Sequence, residues 1–150
     1  YVLTVPVNTS GEVKGFELAY EQPFLEYFGV SANYTYADGE EKGGKPLVGT
    51  SKNTYNLGAF FENERFNARV SYTYRSDFYS GLDRATAFSQ DEVSNLSLAL
   101  GMKINDSWNI TLDALNLNNP TLRYFALNED QPRSIYQNGR QYYLNARYKF

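Results

Sequence analysis

The chain contains no cysteine and no histidine. Without cysteine there are no disulfides and no thiolate metal ligands. Without histidine there is no Ser-His-Asp or Cys-His mechanism and no imidazole metal site. Hydrolytic enzymes that use a histidine base, such as many proteases and lipases, are therefore disfavoured. The expectation is a non-enzyme with no catalytic residues, no cofactor and no metal. No apolar run reaches the roughly 18 residues of a spanning helix. A signal peptide, with its charged, apolar and small-residue parts, is not visible at the start. Nor is there an excess of positive charge, since 14 basic residues face 17 acidic ones and the pI is about 5.0. A nucleic-acid partner is not expected.

What the chain does have is aromatic side chains. They make up 17% of its 150 residues, with 14 Tyr and 10 Phe, while the mean hydropathy is only −0.54. The greasy residues are thus distributed, and their distribution has a period of two. In the last segment Tyr142, Leu144, Ala146, Tyr148 and Phe150 alternate with Tyr143, Asn145, Arg147 and Lys149. The same alternation runs through 16–20, 28–36, 55–61, 66–75, 96–104 and 108–114. Alternate side chains of a strand point to opposite faces, so each segment reads as a strand with one apolar and one polar side. No segment keeps a helical period. The fold class is all-β and antiparallel.

A soluble sandwich also alternates. Three features favour a membrane wall instead. Nine-residue segments at about 3.3 Å per residue span roughly 30 Å, enough when tilted for an apolar band about 25 Å tall. Short connections, "ENE" at 62–64 and "NDS" at 105–107, alternate with long ones near 38–50, 76–92 and 119–140. Only "EQPFLEYF" at 21–28 reads as a longer turn on the short-turn side. Finally, aromatics sit near segment ends, where amphipathic rings favour the headgroup level.

Several formal motifs carry no chemistry. "GEEKGGK" at 39–45 has phosphate-loop spacing, but Pro46 stands where a hydroxyl residue is required and no helix follows. Most of the Asn-x-Ser/Thr matches follow from i and i+2 sharing the polar face. Glu40 and Glu41 lie in a Gly-rich stretch and read as solvated carboxylates. "NGR" at 138–140 reads as a tight turn before the last strand.

The segments "VKGFELAYEQPF", "GVSANYTYADG", "GTSKNTYNLGAFFENERFNARVSYTYRSDFYSG", "ALNLNNP" and "YQNGRQYYLNARYKF" resemble the C-terminal part of a TonB-dependent outer-membrane receptor. The resemblance implies an integral, multi-pass β-barrel in the bacterial outer membrane that imports nutrients. Residues 1–150 are then the C-terminal portion of the barrel, about seven to eight meander strands, with no plug domain in this chain. A complete barrel of this kind has 22 strands and a plugged lumen. The implied partners are outer-membrane lipid, the barrel-assembly machinery, the remainder of the barrel and its plug, and TonB through that plug. The terminal signal for assembly is Tyr142, Leu144, Ala146, Tyr148 and Phe150. Arg140 resembles the family's arginine at that spot, with a structural role bonding rim carbonyls.

An alternative is a complete eight-stranded barrel with an adhesin or structural role, closed by the leading "YVLTVPV"; Pro6 restricts that closure. On the wall reading Glu17, Arg69, Arg75, Asp113, Arg147 and Lys149 face the lumen. The outer connections "SDFYSGLDRATAFSQDE" and "NPTLRYFALNEDQPRSIYQNGR" are the expected ligand surface, with Tyr79, Arg84, Tyr124, Arg133 and Tyr136 as contact candidates. Aromatic rings beside amides suit sugars or oligosaccharides; ferric chelates and corrinoids are the alternative cargo.

Overall fold

The computed structural model describes residues 8, 10–83 and 86–150. All elements in it are strands: β1 (Gly11–Phe24), β2 (Phe28–Glu41), β3 (Asn53–Glu62), β4 (Phe66–Arg75), β5 (Phe78–Asp83), β6 (Thr86–Gln90), β7 (Val93–Lys103), β8 (Trp108–Leu115), β9 (Thr121–Ala126), β10 (Pro132–Gln137) and β11 (Gln141–Tyr148). They form two antiparallel sheets. The wall has seven strands in the order β1-β2-β3-β4-β7-β8-β11, and a smaller sheet has four in the order β10-β9-β6-β5.

The wall is a meander whose register keeps the two faces separate. On one face, Val30, Ala59, Val70, Leu98, Ala114 and Tyr142 are successive register partners. On the other, Phe60 is followed by Arg69, Ala99, Asp113 and Tyr143. One-residue slippage would exchange the faces, so the alternation seen in the sequence fixes the pairing. The apolar face is left uncovered. Leu18 is 61% exposed, Leu57 49% and Leu144 75%. Among the described residues the strands in extensive contact are hydrogen-bonded neighbours, and no second layer packs across the wall. This arrangement excludes a sandwich, whose apolar rows would be buried against a facing sheet.

Two aromatic belts bound the apolar face. At the short-turn end Phe24, Phe28 and Phe61 lie in a row, with Phe28 and Phe61 rings 4.9 Å apart. Farther along the same end, Trp108 and Tyr148 rings are 4.9 Å apart, and Tyr148 meets Phe150 at 5.0 Å. At the opposite end Phe16 packs on Tyr34 and Tyr36, and Tyr55 stacks on Tyr74 at 4.7 Å. From Phe66 to Tyr74, at about 3.4 Å per residue and a tilt near 40°, the height is about 21 Å, close to the roughly 25 Å lipid band.

The short turns share one device. Asn63 Oδ1 accepts the N–H groups of Arg65 and Phe66 at 2.9 and 2.7 Å. Asn105 Oδ1 does the same for Ser107 and Trp108 at 3.0 and 2.9 Å. An asparagine side chain that mimics a backbone turn makes reversals of three and four residues possible here. "EQPFLEYF" is tighter than expected: β1 runs on to Phe24, and only Leu25–Tyr27 turn, with Leu25 at φ 56°.

The long connections also differ from expectation. Residues 76–92 and 119–140 are chiefly strands: β5-β6 extends the β4/β7 pair outward, and β9-β10 extends the β8/β11 pair. β6 then pairs with β9 through Phe88↔Ala126, Ser89↔Phe125 and Gln90↔Tyr124, which joins the hairpins into one sheet. The sequence reading missed this because β-bulges at Tyr79/Gly81 and Pro132/Ser134 interrupt the alternation. β1 and β11 are the edges of the wall; among the described residues each has one neighbour, β2 and β8 respectively. The leading "YVLTVPV" lies outside the described residues.

Candidate functional site

One cation of the polar rows reaches the four-stranded sheet. Arg75 belongs to the polar rows by register with Thr54 and Val93. Its guanidinium lies 3.9 Å from the Phe78 ring centroid, at the start of the upper sheet. Phe78 pairs with Gln90, and Gln90 pairs with Tyr124, so all three share one face of the four-stranded sheet. There Phe88 stacks on Tyr124 at 5.3 Å and 11°, and Tyr124 meets Tyr136 edge-on at 6.0 Å. The three rings make one aromatic platform on the four-stranded sheet. Offset and edge-on ring pairs each contribute about 0.5–1.5 kcal/mol beyond area burial, so the platform is partly preorganised.

Polar clasps hold the upper sheet on the wall. Arg75 Nε donates to Ser51 Oγ at 2.6 Å and Nη2 donates to the Gly49 carbonyl, so the β2–β3 connection is pinned. Ser51 Oγ in turn donates to the Ser76 carbonyl at 2.9 Å. Tyr74 Oη donates to Glu92 Oε2 at 2.6 Å. Across β6 and β9, Arg123 Nε and Nη2 both reach Asp91 Oδ2 at 2.7 Å, with Glu129 at 3.4 Å. The Asp91 hydrogen bond and its charge hold the Arg123 guanidinium above its ordinary pKa, so it stays cationic. Asn118 bridges back to β7: its Nδ2 donates to the Ser94 carbonyl at 2.9 Å, and its Oδ1 accepts from Leu96 N–H at 3.0 Å. Arg140 Nε donates to the Leu117 carbonyl at 2.7 Å, a rim bond next to Gly139, whose φ of 76° suits glycine.

The contact candidates separate into groups. Tyr124 and Tyr136 come together on the platform. Tyr79 pairs with Ser89 and so lies on the other side of its sheet from Tyr124. It lines a groove of about 640 Å³ with Lys45, Thr50, Phe78, Leu82 and Leu127. Arg133 is exposed at the β10 bulge. Arg84 lies outside the described residues.

Of the expected lumen residues, Glu17 pairs with Thr35 and Arg147 with Asn109, both on polar rows. The Arg69 guanidinium sits 5.9 Å from the Phe60 ring centroid, and that ring covers Gly29, where a Cβ would come within 2.2 Å of it. Asp113 Oδ2 accepts a long 3.5 Å bond from Asn145. Lys149 N–H donates to the Ser107 carbonyl at 2.8 Å. Tyr142, Leu144, Ala146 and Tyr148 lie on the apolar face of the edge strand β11, followed by Phe150.

Sequence reasoning did not single out Phe88, Gln90 or the Arg123–Asp91 pair. Arg123 and Asp91 are 32 residues apart and meet only through the β6–β9 pairing. Among the described residues no group of three or more ligating side chains could hold a metal ion.

Among solved structures, the siderophore receptor PiuA from Acinetobacter baumannii matches with a TM-score of 0.69 at 20% identity, over 95% of this chain and 22% of that one. The chain therefore spans about a fifth of that receptor's length, and the likeness is one of fold. No curated protein matches the chain. A family model described as TonB dependent receptor-like, beta-barrel, matches residues 2–119, well over half of the sequence. With its two-faced, aromatic-belted wall and that match, the chain belongs to the TonB-dependent receptor-like β-barrel family and forms part of an outer-membrane, multi-pass β-barrel.

Proposed function

We propose that this chain forms part of the wall of an active nutrient importer, whose aromatic platform contacts the ligand before entry. The observation that carries this reading is the contact of Arg75, on the polar rows of the wall, with Phe78, which shares its sheet face with Gln90 and Tyr124 and so with the ring platform of Phe88, Tyr124 and Tyr136. A rigid wall carrying an exposed contact surface is a common arrangement for binding. In this reading a plug fills the lumen and couples to TonB, outer-membrane lipid covers the apolar face, and the assembly machinery reads the terminal aromatic strand. The chain itself has no catalytic role.

For the cargo, the aromatic rings with neighbouring Gln90 support a sugar or oligosaccharide, whose ring faces stack on aromatics. The second reading is a ferric siderophore, favoured by the likeness to a siderophore receptor. Uptake by cells that express the intact receptor tests the function. Accumulation of a labelled nutrient must require both the receptor and an energised inner membrane. Equal uptake after dissipation of the proton gradient would refute active import. Separate growth on oligosaccharides and on ferric siderophores would decide between the cargoes.

A further inference from the structure

We infer that the groove between the β2–β3 connection and the upper sheet is a binding site for a short apolar peptide with free termini, its ammonium end at Asp77 and its carboxylate end at Lys45. The site is separate from the ring platform, since Tyr79 in the groove and Tyr124 on the platform lie on opposite sides of the sheet. The groove has a volume of about 640 Å³, within the roughly 300–1,000 Å³ of small-molecule sites.

Its walls are fixed before any ligand arrives. Thr35, Ala37 and Gly39 alternate on the polar face of β2, and a Cβ at Gly39 would come within 3.1 Å of Leu47 and Thr50. The β2–β3 connection therefore folds over the polar face. Gly49 N–H donates to the Tyr79 carbonyl at 2.8 Å, and Arg75 holds Gly49 and Ser51. A site held open in this way loses little further entropy on binding.

The apolar lining is uncovered. Leu82 is 69% exposed and Leu127 66%, and both face the groove with Pro46 and Tyr79. Leu127 also has a φ of 65°. This left-handed conformation crowds a Cβ and is uncommon outside glycine, asparagine and aspartate. Backbone strain of this kind gathers at ligand clamps. A leucine kept there, and kept exposed, gives an apolar ligand a surface to cover.

Three charged side chains line the groove: Lys45, Lys52 and Asp77. Lys52 is engaged by Asp38 at 3.2 Å. Lys45 and Asp77 join no ion pair among the described residues. One cation and one anion thus remain. A neutral ligand would answer neither, and a polyanion would meet the Asp77 carboxylate. A zwitterion answers both, which offsets the cost of taking its own two charges out of water. Thr50, Tyr79 and Ser89 add hydroxyls that can donate to and accept from a peptide amide. Apolar side chains, one ammonium, one carboxylate and an amide between them describe a peptide of a few residues.

The test uses the intact receptor in lipid nanodiscs and calorimetry with valyl-leucine, leucyl-phenylalanine and leucyl-leucyl-phenylalanine. At least one is expected to bind, and the polar control seryl-glycyl-serine is not. N-acetylation and C-amidation of the peptide that binds should each weaken it about fivefold, as for the loss of one exposed ion pair. Asp77→Asn should abolish the effect of acetylation and leave that of amidation; Lys45→Gln should do the reverse. Leu127→Gly should weaken binding about tenfold through lost apolar contact. It should not lower the urea midpoint, because glycine adopts that φ without strain. All three side chains are exposed, and unchanged heat-modifiable gel mobility would show that each variant folds. Failure of every apolar peptide to bind overturns the inference. So does equal binding of free and blocked peptides, or a blocking effect that persists undiminished in the matching charge variant.

Discussion

Replacing Leu98 with arginine, and separately Ser97 with arginine, puts the same charge on adjacent residues of β7. Leu98 lies between Val70 of β4 and Ala114 of β8 on the apolar face. Val70 is midway between the belt residues Phe66 and Tyr74, about 10 Å from either level at the strand rise and tilt of such walls. The long arginine stem can snorkel only part of that distance. The expected cost is therefore the midplane value of about 2–4 kcal/mol. At 1.4 kcal/mol per factor of ten, the folded-to-unfolded ratio falls roughly 30- to 1000-fold. Ser97 pairs with Ser71 on the polar face, where an arginine meets lumen water and neighbouring hydroxyls. Its expected cost is within about 0.5 kcal/mol, as for an ordinary surface substitution. Urea titration of the intact receptor in lipid vesicles, read by heat-modifiable mobility, measures both. Equal losses at the two positions would refute the assignment of faces, because neighbouring residues would then meet the same environment.

Further expectations follow from the turns, the platform and the clasps. Asn63→Ala and Asn105→Ala each remove an acceptor serving two backbone N–H groups, so each should lower stability by about 1 kcal/mol in the same titration. A value near zero for both would mean that water replaces the side chain without loss. Tyr136→Ala removes the most accessible ring of the platform and should weaken ligand binding roughly tenfold, with the urea midpoint unchanged. A lowered midpoint with intact binding would assign that ring to stability instead. Arg123→Met should leave the wall intact and raise hydrogen exchange in β6 and β9, because the clasp across the two hairpins is lost. Unchanged exchange would show that the three backbone register pairs between β6 and β9 suffice.

The wall was legible because a membrane-facing strand obeys two local rules at once. Side chains alternate, and rings collect near the ends. Tyr142 through Phe150 displays both, as do 28–36 and 66–75, and the structure pairs them as seven neighbouring strands. The upper hairpins were hidden for a local reason. Bulges at Tyr79/Gly81 and Pro132/Ser134 break the period, so 76–92 and 119–140 read as loops. Tyr124 and Tyr136 could be named from residue type, but their companion Phe88 could not, since it joins them only through the β6–β9 pairing.

The sequence by itself determined the all-β class, the identity of the two faces and the positions of the short turns. These depend on side-chain period and on asparagine caps that act within three residues. Tertiary structure alone decided which rings form the platform and which cations are engaged. Those outcomes depend on register between strands as much as 32 residues apart in sequence, as in Arg123 and Asp91, and no local pattern encodes that register where bulges shift it.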